Sequence, residues 1–381
     1  MADELKDQIR NTAFAFRGYN ITNLGRSDEL LAHPAYGPRV EQALNQAGEI
    51  YADVLGRPVD LINRVRTRHE TSLDAYSEAV ALIVAMEVAQ VELLDQFHGI
   101  RYTDAKLAFG YSLGEPAALV CGGVMTLADA LSAPLAMSSD CAEMAKDVTL
   151  GVVFSRGPAL NLDNIYRLCL RINQAGRGVI GVSTVLSPNS VLILGQQDTV
   201  ERFGQQMHEL LHPRVHLRIN EHRWPPLHTP IMWQCCVPNR AAHMMHTMQG
   251  GFTLPKPPVV SLVTGKASYS DFNTREIMHR WVDEPQRLWE AVYETLASGV
   301  QTVVHVGPEP NLVPATFKRI SDNVRIQVSG RTFGSWGLRA VSGMVRRQWL
   351  SAVLPQRTAL LRAPLVQHIV LEDWLLEQPV V

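Results

Sequence analysis

The stretch KLAFGYSLGEPAALVCGGV, Lys106 to Val124, constrains this chain more than any other. A short apolar run leads into Gly110, a helix-forming run follows Gly114, and Ser112 stands between the two glycines. Gly110-x-Ser112-x-Gly114 fits a nucleophile elbow, in which a strand turns sharply into a helix and presents the serine hydroxyl at the turn. The glycines have a steric reason there, because little room is left for side chains on either side. Upstream, Ala105 to Phe109 reads as the end of a buried strand, and downstream Glu115 to Cys121 is mostly good helix former. Pro116 falls in the first helical turn, where its missing N–H costs nothing. The predicted context is strand, turn, helix, with Ser112 as the nucleophile.

The rest of the chain alternates in a compatible way. TAFAF (Thr12 to Phe16) reads as a first strand, and Ser72 to Phe97 as a long helix, because Ala79, Leu82, Ile83, Met86, Ala89 and Leu93 recur at helical spacing. Between about Val148 and Asn220 the order becomes strand VTLGVVF, helix LDNIYRLCLRINQ, strands VIGVSTVL and SVLILG, helix DTVERFGQQMHELL and strand RVHLRI. That β-α-β-β-α-β order is the ferredoxin-like arrangement. VVSLVTG, after Pro255, Pro257 and Pro258, and TVVHVG (Thr302 to Gly307) supply late strands. The expected fold is therefore α/β, with a hydrolase-like parallel-sheet core over residues 1–147 and 221–330 and an inserted ferredoxin-like small subdomain over 148–220. Residues 331–381 form a C-terminal extension, whose VQHIVLEDWLLEQ suits a helix docked on the body or on another subunit. An oligomer built through that extension is one expectation.

Composition narrows the setting. A chain of 381 residues with 46% apolar and 19% charged residues is an ordinary globular sequence. Its net charge of -2 argues against a general nucleic-acid binder. The five cysteines (Cys121, Cys141, Cys169, Cys235, Cys236) form no CxxC pair, which fits a reduced cytoplasmic protein. MADELKDQIRN lacks the apolar segment of a signal peptide and no run of 18 apolar residues occurs, so neither secretion nor membrane spanning is expected.

A serine hydroxyl is a weak nucleophile until a base removes its proton. Of the 13 histidines, His208, His212, His243 and His246 lie in helix-like polar contexts that suit the surface. His228 differs, since PPLHTPIM (Pro225 to Met232) holds it in a loop stiffened by prolines. An α/β-hydrolase would instead carry its histidine near the C-terminus, which would make His305 or His368 the base. No HExxH motif or Cys/His cluster accompanies any of them, so no metal is expected.

These residues together resemble a known family. Gly110-Tyr111-Ser112-Leu113-Gly114-Glu115, followed by PAALVCGGVMTLADAL, resembles the GHSLGE region of malonyl-CoA:acyl carrier protein transacylases and of polyketide synthase acyltransferase domains. TAFAFRG is similar to that family's opening strand, LHTPIM to its histidine segment, VVSLVTG to the following strand and VHVGPEPNL to its late turn, all in the family's order. The resemblance spans about residues 11 to 320. It implies a ping-pong reaction: Ser112 attacks an acyl-CoA thioester, His228 serves as base and then acid, and the acyl group passes to the phosphopantetheine thiol of acyl carrier protein in fatty-acid or polyketide synthesis. It also implies a histidine oriented by a backbone carbonyl, an oxyanion held by backbone N–H groups of Leu113 and Tyr19, acyl-CoA as substrate and no bound cofactor.

The departures from the family bear on the substrate. Tyr111 replaces a histidine, Tyr19 a glutamine, and Leu262 stands where asparagine is frequent, so Tyr111 and Leu262 join the expected substrate contacts. Met137, twenty-five residues after Ser112 (137 − 112), occupies the place of the arginine of malonyl-specific members, and no arginine occurs from Tyr102 to Ser155. A malonyl carboxylate in a closed pocket needs a charged partner, which methionine does not supply. The expectation is an acyltransferase that is not malonyl-selective. The alternatives are a hydrolase that clears acyl groups from the carrier, and a non-catalytic carrier-binding relative.

Overall fold

The computed structural model describes residues 2–329, 353 and 357–380. Strand β1, Thr12–Phe16, is buried along its whole length, and its alternate residues feed two separate cores. Phe14 and Phe16 point into one, Ala13 and Ala15 into the other, so the strand must be covered on both faces. It pairs in parallel with β2 (Leu107–Gly110), Phe14 opposite Ala108, and with β8 (Thr302–Val306), Phe14 opposite Val304. β7 (Val259–Val260) and β9 (Gln367–Val370) complete an all-parallel sheet in the order β7-β2-β1-β8-β9. The helix Tyr76–His98 is buried almost all round and packs in the first core with Phe14 and Phe16. No described helix is long and apolar enough to cross a membrane.

Residues from Val148 to Arg223 form a second, antiparallel sheet with the order β4-β5-β3-β6. Its strands are β3 (Val148–Ser155), β4 (Ile180–Ser187), β5 (Ser190–Gln196) and β6 (Val215–Arg223). The period of two divides the faces. Gly151 stands under the helix Thr199–Gln206, where a Cβ would come within 3.1 Å of Val200, whereas Leu150 opposite Leu194 and Val152 opposite Leu192 face an internal cavity. The helix Leu162–Gln174 turns Ile165, Leu168, Cys169 and Ile172 into the core of this unit.

Three local expectations change. VVSLVTG yields only a two-residue strand, because the chain folds back at once in a turn that bonds the Ser261 N–H to the Lys266 carbonyl at 2.9 Å. β6 runs past Ile219 to Arg223, which pairs with Thr149 across an irregularity in β3. The segment VQHIVLEDWLLEQ is half strand and half helix: β9 adds to the edge of β8, and only Leu371–Glu377 is helical. Within the extension expected at 331–381, the described part docks on this chain's own body through Leu371, Trp374 and Leu375, which are buried in the first core. The remainder lies outside the described residues.

Candidate active site

The elbow is set by three close approaches. A Cβ on Gly110 would lie 2.0 Å from the Gly114 carbonyl carbon, and one on Gly114 would lie 2.5 Å from the Arg17 carbonyl oxygen. A Cβ on Gly18 would meet the Tyr111 carbonyl oxygen at 2.7 Å, so the loop after β1 lies directly against the elbow. Ser112 itself takes φ 53°, a left-handed conformation that costs a non-glycine residue about 1–3 kcal/mol. The gain is exposure of the hydroxyl at the strand end, where the helix Gly114–Cys121 begins.

His228 is the histidine that meets it. Its Nε2 lies 2.8 Å from Ser112 Oγ, and its Nδ1 lies 2.6 Å from the carbonyl oxygen of Trp281. That oxygen can only accept, so Nδ1 carries the proton and Nε2 is free to take one from the serine. Gln286 Nε2 also approaches Nδ1, but at 3.4 Å the amide is the weaker neighbour. His228 too has a left-handed backbone, φ 65°, and its N–H donates to the Val282 carbonyl at 2.9 Å. Burial lowers its pKa to about 4, against a smaller opposing effect of the Trp281 carbonyl. The imidazole is therefore neutral at pH 7 and ready to act as a base.

Two residues that the sequence analysis did not single out hold this pair. Trp281 binds both partners, since its indole Nε1–H donates to the Ser112 carbonyl at 3.0 Å while its own carbonyl accepts the His228 Nδ1–H. Gln286 is fully buried, and its Oε1 accepts the Ser112 N–H at 3.3 Å. Its backbone is fixed to β4, with the Gln286 N–H donating to Ser183 and the Val185 N–H to Gln286. Both lie in HRWVDEPQ, a stretch whose polar pattern carries no sign of a buried glutamine.

The other expected residues divide. Tyr19 and Tyr111 line a cavity of about 380 Å³ that opens on Ser112 and His228. The backbone N–H groups of Leu113 and Tyr19 have no hydrogen-bond partner among the described residues, although Leu113 itself is not a lining residue. Tyr111 is pinned by a 3.0 Å hydrogen bond between its hydroxyl and Thr184 Oγ1. Met137 and Leu262, in contrast, are not lining residues. Met137 is packed among apolar side chains of the first core on the helix Leu127–Ala145, whereas Tyr76, from the same core, reaches the cavity. Leu262 is buried in the second core, its N–H bonded to Glu115 at 3.2 Å. The alternative bases are also elsewhere: His305 and His368 are 2.9 Å from each other on β8 and β9, and neither lines the cavity.

The cavity wall carries the remaining information. Leu150, Val152, Leu192 and Leu194 come from the antiparallel sheet, Leu312 and Ala315 from the helix Leu312–Ser329, and Tyr19, Tyr76 and Trp224 form an aromatic side. Tyr19 stands edge-on to Tyr76 at 5.0 Å and to Trp224 at 6.0 Å between ring centroids. Among the described residues, no lysine, arginine, aspartate or glutamate lines the cavity.

No family model matches the chain. The polyketide synthase GfsA of Streptomyces halstedii is 25% identical over 306 residues, which cover 78% of this chain but only 4% of that synthase. The malonyl CoA-acyl carrier protein transacylase of Salmonella typhimurium is 28% identical over 221 residues, covering 57% of this chain and 67% of the transacylase. Among solved structures, a malonyl-transacylase in complex with its type II polyketide synthase acyl-carrier protein superposes with a TM-score of 0.59 at 24% identity, over 80% of this chain and 91% of the other. The homologues are thus malonyl-CoA:acyl carrier protein transacylases and a polyketide synthase, as the motifs lead one to expect, and the α/β fold with its parallel sheet is shared with the solved transacylase.

Proposed function

We propose that this chain, a homologue of those transacylases, is an acyltransferase that moves an acyl group from coenzyme A to an acyl carrier protein through an ester on Ser112. The observation that carries the reading is the 2.8 Å contact between Ser112 Oγ and His228 Nε2 on the wall of a cavity of about 380 Å³. Ser112 Oγ attacks the thioester carbonyl as His228 Nε2 takes its proton, and the developing oxyanion is received by the N–H groups of Leu113 and Tyr19. Collapse breaks the carbon–sulfur bond, and His228 returns the proton to the departing thiolate. In the second half the pantetheine thiol of the carrier gives its proton to His228 and its sulfur attacks the ester. The proton then goes back to Ser112. The carrier as acceptor is supported by the transacylase solved with its acyl-carrier protein.

The substrate we assign is an uncharged acyl group. The names of several relatives specify malonyl, yet a malonyl carboxylate entering this cavity would lose its hydration with no cationic side chain among the described lining residues to replace it. Each ~1.4 kcal/mol of that penalty is a factor of ten in rate. Acetyl or longer neutral acyl thioesters should be preferred over malonyl by at least ~100-fold in kcat/KM. The test is intact-mass detection of the acyl-enzyme after exposure to a panel of acyl-CoAs, followed by incubation with and without carrier protein. Carrier-dependent loss of the adduct supports the transferase. Loss in buffer alone at the same rate makes it a hydrolase, and absence of any adduct makes it a non-catalytic relative.

A further inference from the structure

Two loops form the side of the cavity that carries Tyr19. One follows β1 and contributes Gly18, Tyr19, Asn20 and Ile21; the other follows β8 and contributes Pro310 and Asn311. They touch one another at the rim, where Asn20 Nδ2 donates to the Pro310 carbonyl at 3.1 Å. Behind them lie two buried side chains: Arg17, whose guanidinium donates to the Gly18 and Thr22 carbonyls of one loop and to the Pro308 carbonyl of the other, and a carboxyl group from the far end of the sequence. Glu372, on the short helix after β9, is 1% exposed. Its Oε2 accepts the Arg26 N–H and its Oε1 the Glu309 N–H, each at 3.0 Å.

Packing alone does not call for a carboxyl group at this place, since burying one away from water is unfavourable unless its oxygens are bonded. Burial pushes the Glu372 carboxyl up to about 7, with the two N–H bonds opposing that rise. The fit leaves no slack: a Cβ on Gly25 would stand 2.6 Å from Glu372 Oε2. Neighbouring Asp373 does a different job, pairing with Arg26 Nη1 at 2.9 Å on a half-exposed surface.

We propose that Glu372 is a positioning residue, whose carboxylate ties the loop bearing the Tyr19 N–H to the loop bearing Pro310 and so fixes the oxyanion donor and the acyl wall relative to Ser112. This role rests on the acyltransferase reading for its effect on rate, but the tie itself is independent of it. Arg17 and Glu70 anchor the β1 loop at Gly18 and Thr22 to Leu24, so releasing one of the two N–H groups frees its far end at Arg26 or the facing Glu309, and catalytic donors must be held to within a fraction of an ångström.

The experiment compares wild type, Glu372→Gln and Asp373→Asn at pH 8.5, above the Glu372 pKa. The first readout is the acylation rate constant at saturating acyl-CoA, normalised to the fraction of enzyme that can be acylated. The second is hydrogen exchange at residues 18–26 and 307–312 without ligand. Glu372→Gln should lower the rate constant about tenfold and raise exchange in both loops, while Asp373→Asn leaves both readouts at wild-type values. A rate constant and loop exchange unchanged in Glu372→Gln would overturn the proposal, and so would exchange that rises only in 371–378 or throughout the protein. If wild type forms no acyl-enzyme, the acyltransferase reading falls and the exchange data alone decide whether Glu372 ties the loops.

Discussion

Ser112 and His228 approach the cavity from left-handed backbone positions, whereas Leu150, Val152, Leu192 and Leu194 close it from regular strands. In the first region each residue is fixed by steric exclusion and by hydrogen bonds to main-chain atoms, so a single substitution removes a function. In the second, many apolar contacts share the work, and a single substitution changes degree. On the proposed function, the contrast teaches that reaction chemistry and acyl choice are held by different forces. They should respond to mutation on different scales.

The largest effect should come from Ser112→Ala, which is expected to abolish the covalent adduct seen by intact mass. An adduct of normal yield on that variant would end the contrast at its strong side. Next, His228→Ala should slow acylation ~10²–10⁴-fold with an unchanged circular dichroism spectrum. Should His305→Ala or His368→Ala do the same, the base has been misassigned.

The apolar wall can be probed with one cation placed in two ways. Leu194→Arg, on the cavity face of β5, should narrow the preference for neutral over malonyl thioesters by about tenfold in competition assays. Met137→Arg should leave the preference alone and instead lower stability by about 3 kcal/mol or more, read as a shifted urea midpoint, because it places an unpaired charge in the core. A reversal of those two outcomes would mean that Met137, and not the sheet, meets the acyl group.

A smaller change is expected from Trp281→Phe, which keeps the carbonyl that orients His228 but removes the indole bond to Ser112. Single-turnover acylation should fall about 3–10-fold. The smallest is a matter of pH. Folding lowers the His228 pKa to about 4, so the neutral base persists well below the 6.5 of an ordinary imidazole. From pH 7 to pH 5 the acylation rate constant should vary by less than about twofold. The sign for stability is the opposite of a paired histidine's: the contribution is present above pH 6.5 and is lost as pH falls toward 4, because the unfolded chain takes up the proton first. A rate that halves near pH 6.5 would show that His228 is wetter than its 3% exposure suggests.

The same two regions explain what could be read in the sequence. Gly110, Ser112 and Gly114 announce themselves because local sterics select the residue types at fixed spacing. The helix LDNIYRLCLRINQ is read to the residue, Leu162–Gln174, because its apolar period is local too. Trp281 and Gln286 are silent, lying 169 and 174 residues from the serine they support, and nothing in their own neighbourhood marks that meeting. Met137 is hard to place from sequence for a related reason. Its place in the family order is readable from the spacing, but the direction of a side chain on a helix buried against several neighbours is settled only by tertiary packing.

β1 sits between β2 and β8, with Phe14 paired to Ala108 on one side and to Val304 on the other. Ribosomes add about 5–20 residues per second, so the second partner is synthesised roughly 15–60 s after β1. The antiparallel unit has no such wait, since β3 to β6 all fall between Val148 and Arg223. During synthesis the small sheet can close while TAFAF still presents an unpaired apolar edge. The nascent chain then carries a segment that ends fully buried without its second partner for longer than it takes to translate the entire small sheet.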